Sequence, residues 1–178
     1  MPYLVLNSYQ MAKVIKTPKL YPKPKQAFSV IEEASVQYET MQEILGGKKL
    51  LPKAISGDLD LITLSRSGVK KSSLKSLSNY LGISMDKMSS LMHTSYRNIQ
   101  RKDDNELLDV YKSEQAIGVA QVVTKGLEIF GSKENMQQWL HSNIIALGNK
   151  KPIDLLDTSF GIRMIYRVLG RLEHGVYS

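Results

Sequence analysis

Residues 148–178 read GNKKPIDLLDTSFGIRMIYRVLGRLEHGVYS, and this stretch indicates how the chain folds. Pro152 suits the first turn of a short helix, where its missing N–H costs nothing. Asp157, Thr158 and Ser159 can each cap the amphipathic helix that follows. The tail after that helix stays apolar and aromatic up to Ser178, so we expect a partner to bind it. The apolar face of the helix comprises Ile162, Ile165, Leu169 and Leu172.

The same helix carries Arg163, Arg167 and Arg171, which are spaced four residues apart and therefore share one face. Like charges at this spacing destabilise an isolated helix by roughly a few tenths of a kcal/mol per pair. Such a stripe usually faces only solvent. An anionic partner surface would give the arginines a use, and the adjacent apolar tail favours this second interpretation.

The composition excludes several classes of site. The 178 residues contain no Cys, which rules out disulfides, thiolate zinc sites and Cys nucleophiles. No apolar run is long enough for a membrane span and no signal-peptide pattern occurs, so we expect a cytoplasmic protein with no membrane contact. His93, His141 and His174 are scattered, and no catalytic, metal or cofactor motif accompanies them. We therefore expect no catalytic residue, no metal, no cofactor and no enzyme activity.

Charge is distributed unevenly. Residues 1–102 contain 16 Lys and Arg against 7 Asp and Glu, whereas residues 103–178 contain 8 against 10. The first part could lie on a polyanion while the second part does something else. A merely lysine-rich solvated surface is the alternative.

The first part of the chain combines a linker and a helix. Residues 13–25 read KVIKTPKLYPKPK, an extended basic segment because proline restricts the backbone. Residues 29–32 have the form of a capping box, and apolar residues then recur at helical spacing up to Gly46 and Gly47. Residues 1–57 are predicted to form this extension. A dimerisation arm, a DNA clamp and a disordered segment all fit its role.

Three short helices are predicted between Leu74 and Lys102, after another short helix that ends at Ser67 and Gly68. Ser84 can cap the second of the three, and the third begins near Ser95 after a break at His93 and Thr94. Such a tight connection is typical of a helix-turn-helix, although no glycine occupies the turn. The third helix would turn Ile99 inward and present groups that read bases and hold phosphates: Ser95, Tyr96, Arg97, Asn98, Gln100, Arg101 and Lys102.

A long helical region is predicted over residues 106–130, ended by Gly131. Ser132 can cap the next helix, which carries Met136, Trp139 and Leu140. Trp139 is expected to anchor the core, because a large aromatic side chain contributes mainly buried area. His141 has no second ligand at metal spacing, so a surface or capping role is expected.

The stretch WLHSNIIALGNKKPIDLLDTSFGIRMIYRVLGRLEHGVYS resembles the toxin-binding domain of Xre/MbcA/ParS-type antitoxins. Asn149 stands where that family usually has a second glycine. The residues that carry the resemblance are Trp139, Leu140, Ala146, Leu147, Gly148, Pro152, Leu155, Leu156, Asp157, Thr158, Gly161, Glu173, His174, Gly175 and Val176.

Upstream, LGISMDKMSSLMHTSYRNIQRK resembles the Xre-like helix-turn-helix of the same family. The family's recognition helix carries Arg-Thr-Leu and two arginines, where this chain has Arg97-Asn98-Ile99 and then Arg101-Lys102. The usual Gly-Arg-Leu that follows is missing, which puts base preference in question more than DNA binding. The resemblance covers roughly residues 59–178.

The resemblance implies an all-α protein, with an Xre-like helix-turn-helix domain at residues 58–122 and a small helical toxin-binding domain at residues 123–178. It implies an antitoxin dimer that neutralises a RES-domain, NAD-degrading toxin by covering its active site, and that represses its operon by binding operator DNA. The toxin would meet Arg163, Arg167, Arg171, Glu173, His174, Gly175, Val176, Tyr177 and Ser178. A stand-alone transcriptional regulator, with a C-terminal domain that dimerises or senses a ligand, is the alternative.

Overall fold

The computed structural model describes residues 35–175. Within these residues the regular structure is helical, and the β-type pairing consists of two isolated bridges. The predicted all-α class is therefore confirmed. The basic segment at residues 13–25, the capping box at residues 29–32 and the tail at residues 176–178 lie outside the described part.

Nine α-helices occur in the described residues, and two 3₁₀ turns, Ile145–Leu147 and Pro152–Asp154, connect the last two. The α-helices are α1 (residues 35–44), α2 (Gly47–Leu50), α3 (Asp58–Ser67), α4 (Lys71–Leu81), α5 (Met85–Leu91), α6 (Tyr96–Arg101), α7 (Val110–Phe130), α8 (Lys133–Leu140) and α9 (Ser159–Glu173).

Helix α7 forms the centre of the fold and packs against α3, α4, α8 and α9. Its long run of small and β-branched residues is buried on several sides, as an inner helix requires. Gly126 lets α8 approach closely, since a Cβ at this position would lie 2.8 Å from the Cγ of Met136. The predicted domain boundary at residues 122–123 falls inside α7, and the three-part division stays a prediction.

The predicted start of the long helix at residue 106 is wrong. Helix α7 begins at Val110, because the Asp109 carboxylate caps it by accepting a 2.9 Å hydrogen bond from the Lys112 N–H. Leu108 precedes the helix, and its N–H donates to the Val69 carbonyl at 2.8 Å. Leu108 is buried, so it fits the apolar pattern while lying in an extended segment.

Most of the predicted helix boundaries are confirmed. Ser84, Ser95, Ser132 and Thr158 each accept a hydrogen bond from a backbone N–H of the helix that they begin. Trp139 packs against the core as a half-buried side chain, and its ring centroid lies 5.4 Å from that of Phe130. His141 is exposed at the C-cap of α8, as predicted.

Candidate nucleic-acid and protein-binding surfaces

Helices α5 and α6 are joined by the four residues 92–95, which form the turn of a helix-turn-helix. The turn needs a left-handed residue, and His93 supplies it with a φ of 52°. Positive φ is uncommon outside glycine, although His is among the side chains that tolerate it best. The missing glycine therefore does not prevent the motif from forming.

The orientation of α6 follows from what it buries. Ile99 is 1% exposed and packs in the same core as Met88 and Leu91 of α5. The opposite face consequently points outward, with exposed side chains at Ser95, Tyr96, Arg97, Asn98, Gln100 and Arg101. Six of the seven residues predicted to bind DNA thus share one accessible surface.

Lys102 differs from the other six. It follows the last turn of α6, is half-buried, and forms an ion pair with Glu106. Lys71 similarly pairs with Asp104 at 2.9 Å, and this hydrogen-bonded ammonium lowers the pKa of the Asp104 carboxyl. These two pairs partly neutralise the acidic loop after α6. In the described residues, Arg97 and Arg101 have no hydrogen-bonding or ion-pair partner, so both remain available.

The outer face of α9 holds the second candidate surface. Arg163 and Arg167 are exposed there and Arg171 is half-buried, while Ile165, Val168 and Leu169 form the buried face. Each fully buried aliphatic side chain stabilises the fold by about 1.5–3 kcal/mol, which fixes the rotation of the helix. The arginines are therefore held outward by the packing of the opposite face.

Three large apolar side chains that were not among the predicted site residues are also exposed on this helix. Phe160 is 72% exposed, and Met164 and Tyr166 are also exposed. The Arg163 guanidinium lies over the Phe160 ring, 4.5 Å from its centroid, in a cation–π contact. Phe160 lies three and seven residues before Arg163 and Arg167, so helical spacing could have identified it.

The end of α9 is tied to α7. The Lys125 ammonium lies 2.5 Å from the Glu173 carboxylate and 3.1 Å from that of Glu128. Burial acts to lower the pKa of Lys125, but its hydrogen bonds to the two carboxylates outweigh burial and raise it. Glu173, predicted to contact a toxin, thus has a structural partner. His174 and Gly175 follow it and are exposed.

A groove of about 780 Å³ runs beside the start of α9. Its walls come from α3, α7, the helix-turn-helix turn, the residues that lead into α9 and the first turns of α9 itself. They include Ile62, His93, Tyr111, Asp157 and Arg163. It therefore adjoins both the helix-turn-helix and the outer face of α9.

Two kinds of feature do not occur in the part of the chain that the structure describes. No three His, Asp or Glu side chains converge there in a way that could hold a metal ion. No helix there combines the length and the apolar character that a bilayer crossing requires.

Two family models match the chain on either side of the middle of α7. One, described as the antitoxin Xre-like helix-turn-helix domain, matches residues 60–121 and so contains α4, α5 and α6. The other, described as the antitoxin Xre/MbcA/ParS C-terminal toxin-binding domain, matches residues 125–175 and contains α8 and α9. Each candidate surface thus lies in one matched region.

Curated relatives agree with the family models. The Prs ADP-ribosylating antitoxin of Sphingobium sp. (strain YBL2) is 27% identical over 130 residues, 67% of this chain and 82% of that protein. Antitoxin Xre of Yersinia enterocolitica serotype O:8 / biotype 1B is 34% identical over 68 residues. Antitoxin Xre of Photorhabdus laumondii subsp. laumondii is 31% identical over 68 residues. The last two matches cover 38% of this chain and 46% of each relative.

Proposed function

The chain belongs to the family of Xre/MbcA/ParS-type antitoxins, and we propose that it neutralises a cognate RES-domain toxin and represses its own operon. Inhibition would come from binding rather than catalysis. Both partners, the toxin and operator DNA, would be met in the cytoplasm. The name of the Sphingobium relative joins an antitoxin to ADP-ribosylation, a reaction that consumes NAD, which supports an NAD-degrading partner.

The exposed mixture of aromatic, apolar and cationic side chains on α9 carries this proposal. Phe160, Met164 and Arg167 are accessible although the opposite face of their helix is fully packed. Aromatic residues, Met and Arg are the types enriched at protein–protein interfaces. A helix that served only the core would gain nothing from exposing them.

Neutralisation would be steric. With α9 seated on the toxin, the chain after Gly175 would reach the entrance of the active site, and residues 176–178 would cover it. Arg163, Arg167 and Arg171 would pair with acidic groups of the partner or with the groups that it uses to bind phosphate. Glu173, held by Lys125, would fix the direction in which the tail leaves the helix.

Operator binding would use the outer face of α6 in the major groove. Arg97 and Arg101 can pair with guanine edges and Asn98 or Gln100 with adenine, while Ser95 and Tyr96 hold phosphates. A homodimer would place two such helices on half-sites about one helical turn apart. The partial neutralisation of the acidic loop after α6 supports this orientation, because Lys71 and Lys102 reduce its repulsion of phosphate.

The groove beside α9 favours a second candidate, a stand-alone regulator whose C-terminal region senses a ligand or dimerises. Its volume falls within the range of small-molecule sites, and it combines apolar walls with polar groups such as His93 and Asp157. This regulator would bind DNA without any toxin partner.

Co-expression with the product of the adjacent open reading frame separates the two candidates. An antitoxin restores the growth of cells that express this product and co-purifies with it. Growth arrest that the chain does not relieve, together with separate elution of the two proteins, would reject the antitoxin function in favour of the regulator.

A further inference from the structure

A cavity of about 250 Å³ lies beside α3, and we call it the α3 cavity. Ile62 and Ser65 of α3 line the groove described above, whereas Thr63, Leu64 and Ser67 line the cavity. With 3.6 residues per turn, these two sets of residues lie on opposite faces of the helix. The exposed residues of α6 and α9 do not line the cavity, so it is separate from both candidate surfaces.

One wall of the α3 cavity is the segment 51–55 between α2 and α3. The buried side-chain amide of Gln42 holds this segment by donating to the Leu51 carbonyl at 2.5 Å and to the Lys53 carbonyl at 3.3 Å. Leu51 and Ile55 are themselves buried in the core. Because the wall is anchored by the protein alone, the cavity is formed before any ligand binds.

The opposite wall forms where the chain leaves α3. Gly68 has a φ of 94°, and a Cβ there would lie 2.8 Å from the Leu108 carbonyl oxygen. This close approach brings residues 68–70 against the segment before α7, where Lys70 and Leu107 form an isolated bridge. Leu107 is half-exposed and lines the cavity together with Leu64. The lining is therefore mainly apolar on this side as well.

Three charged side chains line the α3 cavity, and two of them are paired with each other. The Asp60 carboxylate accepts hydrogen bonds from the Ser56 hydroxyl at 2.7 Å and from the Ser56 N–H at 3.0 Å, which lower the pKa of Asp60. The Lys53 ammonium lies 3.7 Å from the same carboxylate. The negative charge of Asp60 is thus compensated in the free protein.

Lys70 is the third charged residue of the lining, and it is half-buried. Among residues 35–175 its ammonium has no hydrogen-bonding or ion-pair partner. Lysine is seldom withdrawn from water without a partner, so this ammonium can accept an anion at little further cost. An unpaired cation beside apolar walls is complementary to a ligand with an apolar body and an anionic head.

We propose that the α3 cavity binds a small amphipathic monocarboxylate, whose carboxylate pairs with Lys70 and whose apolar body contacts Leu64 and Leu107. The volume is just below the range of about 300–1,000 Å³ that drug-sized ligands occupy, so a short aliphatic chain or a single ring fits and a long lipid chain does not. This binding activity goes beyond the proposed function, because it involves neither a toxin nor DNA.

The test is a titration of the full-length, ¹⁵N-labelled protein with octanoate, followed by ¹H–¹⁵N correlation spectra. We expect saturable shifts at Leu51, Ile55, Leu64 and Leu107, with a Kd below about 1 mM. Octylamine has the same tail with a cationic head, and it should bind at least about tenfold more weakly. Hexanoate buries two fewer methylene groups and should bind about 15-fold more weakly than octanoate.

Two variants test the assignment of the head and the tail. Lys70→Met keeps the length of the side chain but removes its charge, so octanoate should bind about tenfold more weakly and lose its advantage over octylamine. Lys49→Met is the matched control, since Lys49 is an exposed lysine of α2 that does not line the cavity, and it should keep this advantage. Thr63→Trp places an indole at an exposed position of the lining and should abolish octanoate binding.

Three results would overturn the proposal: no saturable binding of octanoate, equal affinities for octanoate and octylamine, or shifts confined to α9 and the groove beside it. If Lys70→Met does not fold, Thr63→Trp still tests the site, and unchanged octanoate binding by that variant would also reject it. Failure of the chain to neutralise a toxin is a separate result, because the titration contains no toxin.

Discussion

The Lys125 ammonium lies 2.5 Å from the Glu173 carboxylate, and this ion pair fastens the last turn of α9 to the central helix. Lys125 is only 8% exposed, so its charge depends on Glu173 and Glu128 for compensation. The pair thus holds the end of α9, which immediately precedes the exposed His174 and Gly175, against α7.

Lys125→Met should lower the free energy of unfolding by about 1–2 kcal/mol. The loss of stability stays below that of a fully buried pair because water still reaches both carboxylates. The side chain of Glu128 is 41% exposed and that of Glu173 is 35% exposed. Urea denaturation followed by circular dichroism measures the change. Lys75→Met, at an exposed position of α4, is the control, and an equal loss there would contradict a specific role for Lys125.

The Asp109 cap should make stability depend on acid. Burial acts to raise the pKa of Asp109, but hydrogen bonds from Lys112 lower it below its ordinary value of 3.8. A carboxyl group whose pKa is lower in the folded state than in the unfolded state stabilises the fold at any pH above its unfolded-state pKa. This contribution disappears as the pH falls through its folded-state pKa. Asp109→Asn keeps a capping oxygen but cannot carry the charge. Its free energy of unfolding should therefore be lower than that of the wild type at neutral pH, and the difference should vanish at about pH 2. A constant deficit in urea denaturation at both pH values would disprove this.

Two double variants, one in α6 (Arg97 and Arg101) and one in α9 (Arg163 and Arg167), should separate DNA binding from toxin binding. Replacing Arg97 and Arg101 by Ala should reduce operator affinity by about 1–3 kcal/mol per lost base contact, and weaken its salt dependence if phosphates are also contacted. Replacing Arg163 and Arg167 by Ala should weaken toxin binding and leave DNA binding intact. Fluorescence anisotropy at several salt concentrations tests the first pair, and calorimetry with the toxin tests the second. Each double variant serves as the control of the other.

Phe160→Ser should weaken toxin binding by about 2 kcal/mol, or roughly 30-fold, because an exposed aromatic anchor would be lost. Its effect on folding should stay within about 0.5 kcal/mol, since the ring is 72% exposed in the free protein. Calorimetric titration and thermal denaturation measure the two quantities. Leu107→Ser, at an exposed apolar position before α7, should bind toxin normally. Wild-type affinity of Phe160→Ser would contradict the role of Phe160 as an anchor of the interface.

Deleting residues 176–178 should weaken neutralisation while the fold and DNA binding persist, because the proposed occlusion depends on the tail. Growth rescue in cells that express the toxin is the measurement, with thermal denaturation and operator binding as controls. Full protection by the truncated chain would leave the tail without a part in the mechanism.

Local signals predicted much of this fold. Ser84, Ser95 and Ser132 begin helices as expected, because an N-cap depends on a few neighbouring residues. The outward face of α6 followed from the single inward residue Ile99. Periodicity failed at Leu108, since a buried residue in an extended segment can match a helical pattern by chance.

What the sequence could not predict depends on residues that are distant along the chain. The ion pair of Lys125 with Glu173 spans 48 positions, and the contact of His93 with Asp157 spans 64. Neither pairing leaves a local pattern, because each depends on how separate helices pack. The contact of Glu173 with a toxin stays a prediction beside its ion pair with Lys125. The exposure of Phe160 is likewise decided by packing, and an aromatic residue type alone does not predict it.

The single tryptophan supplies a built-in optical reporter. Trp139 lies against Phe130 at the corner between α7 and α8, and belongs to neither α6 nor α9. Its emission spectrum will therefore register loss of this corner without a chemical label. A variant of Arg97 or Phe160 that keeps the wild-type emission maximum has retained its packing at this corner, so loss of the corner is not the cause of a binding defect in that variant.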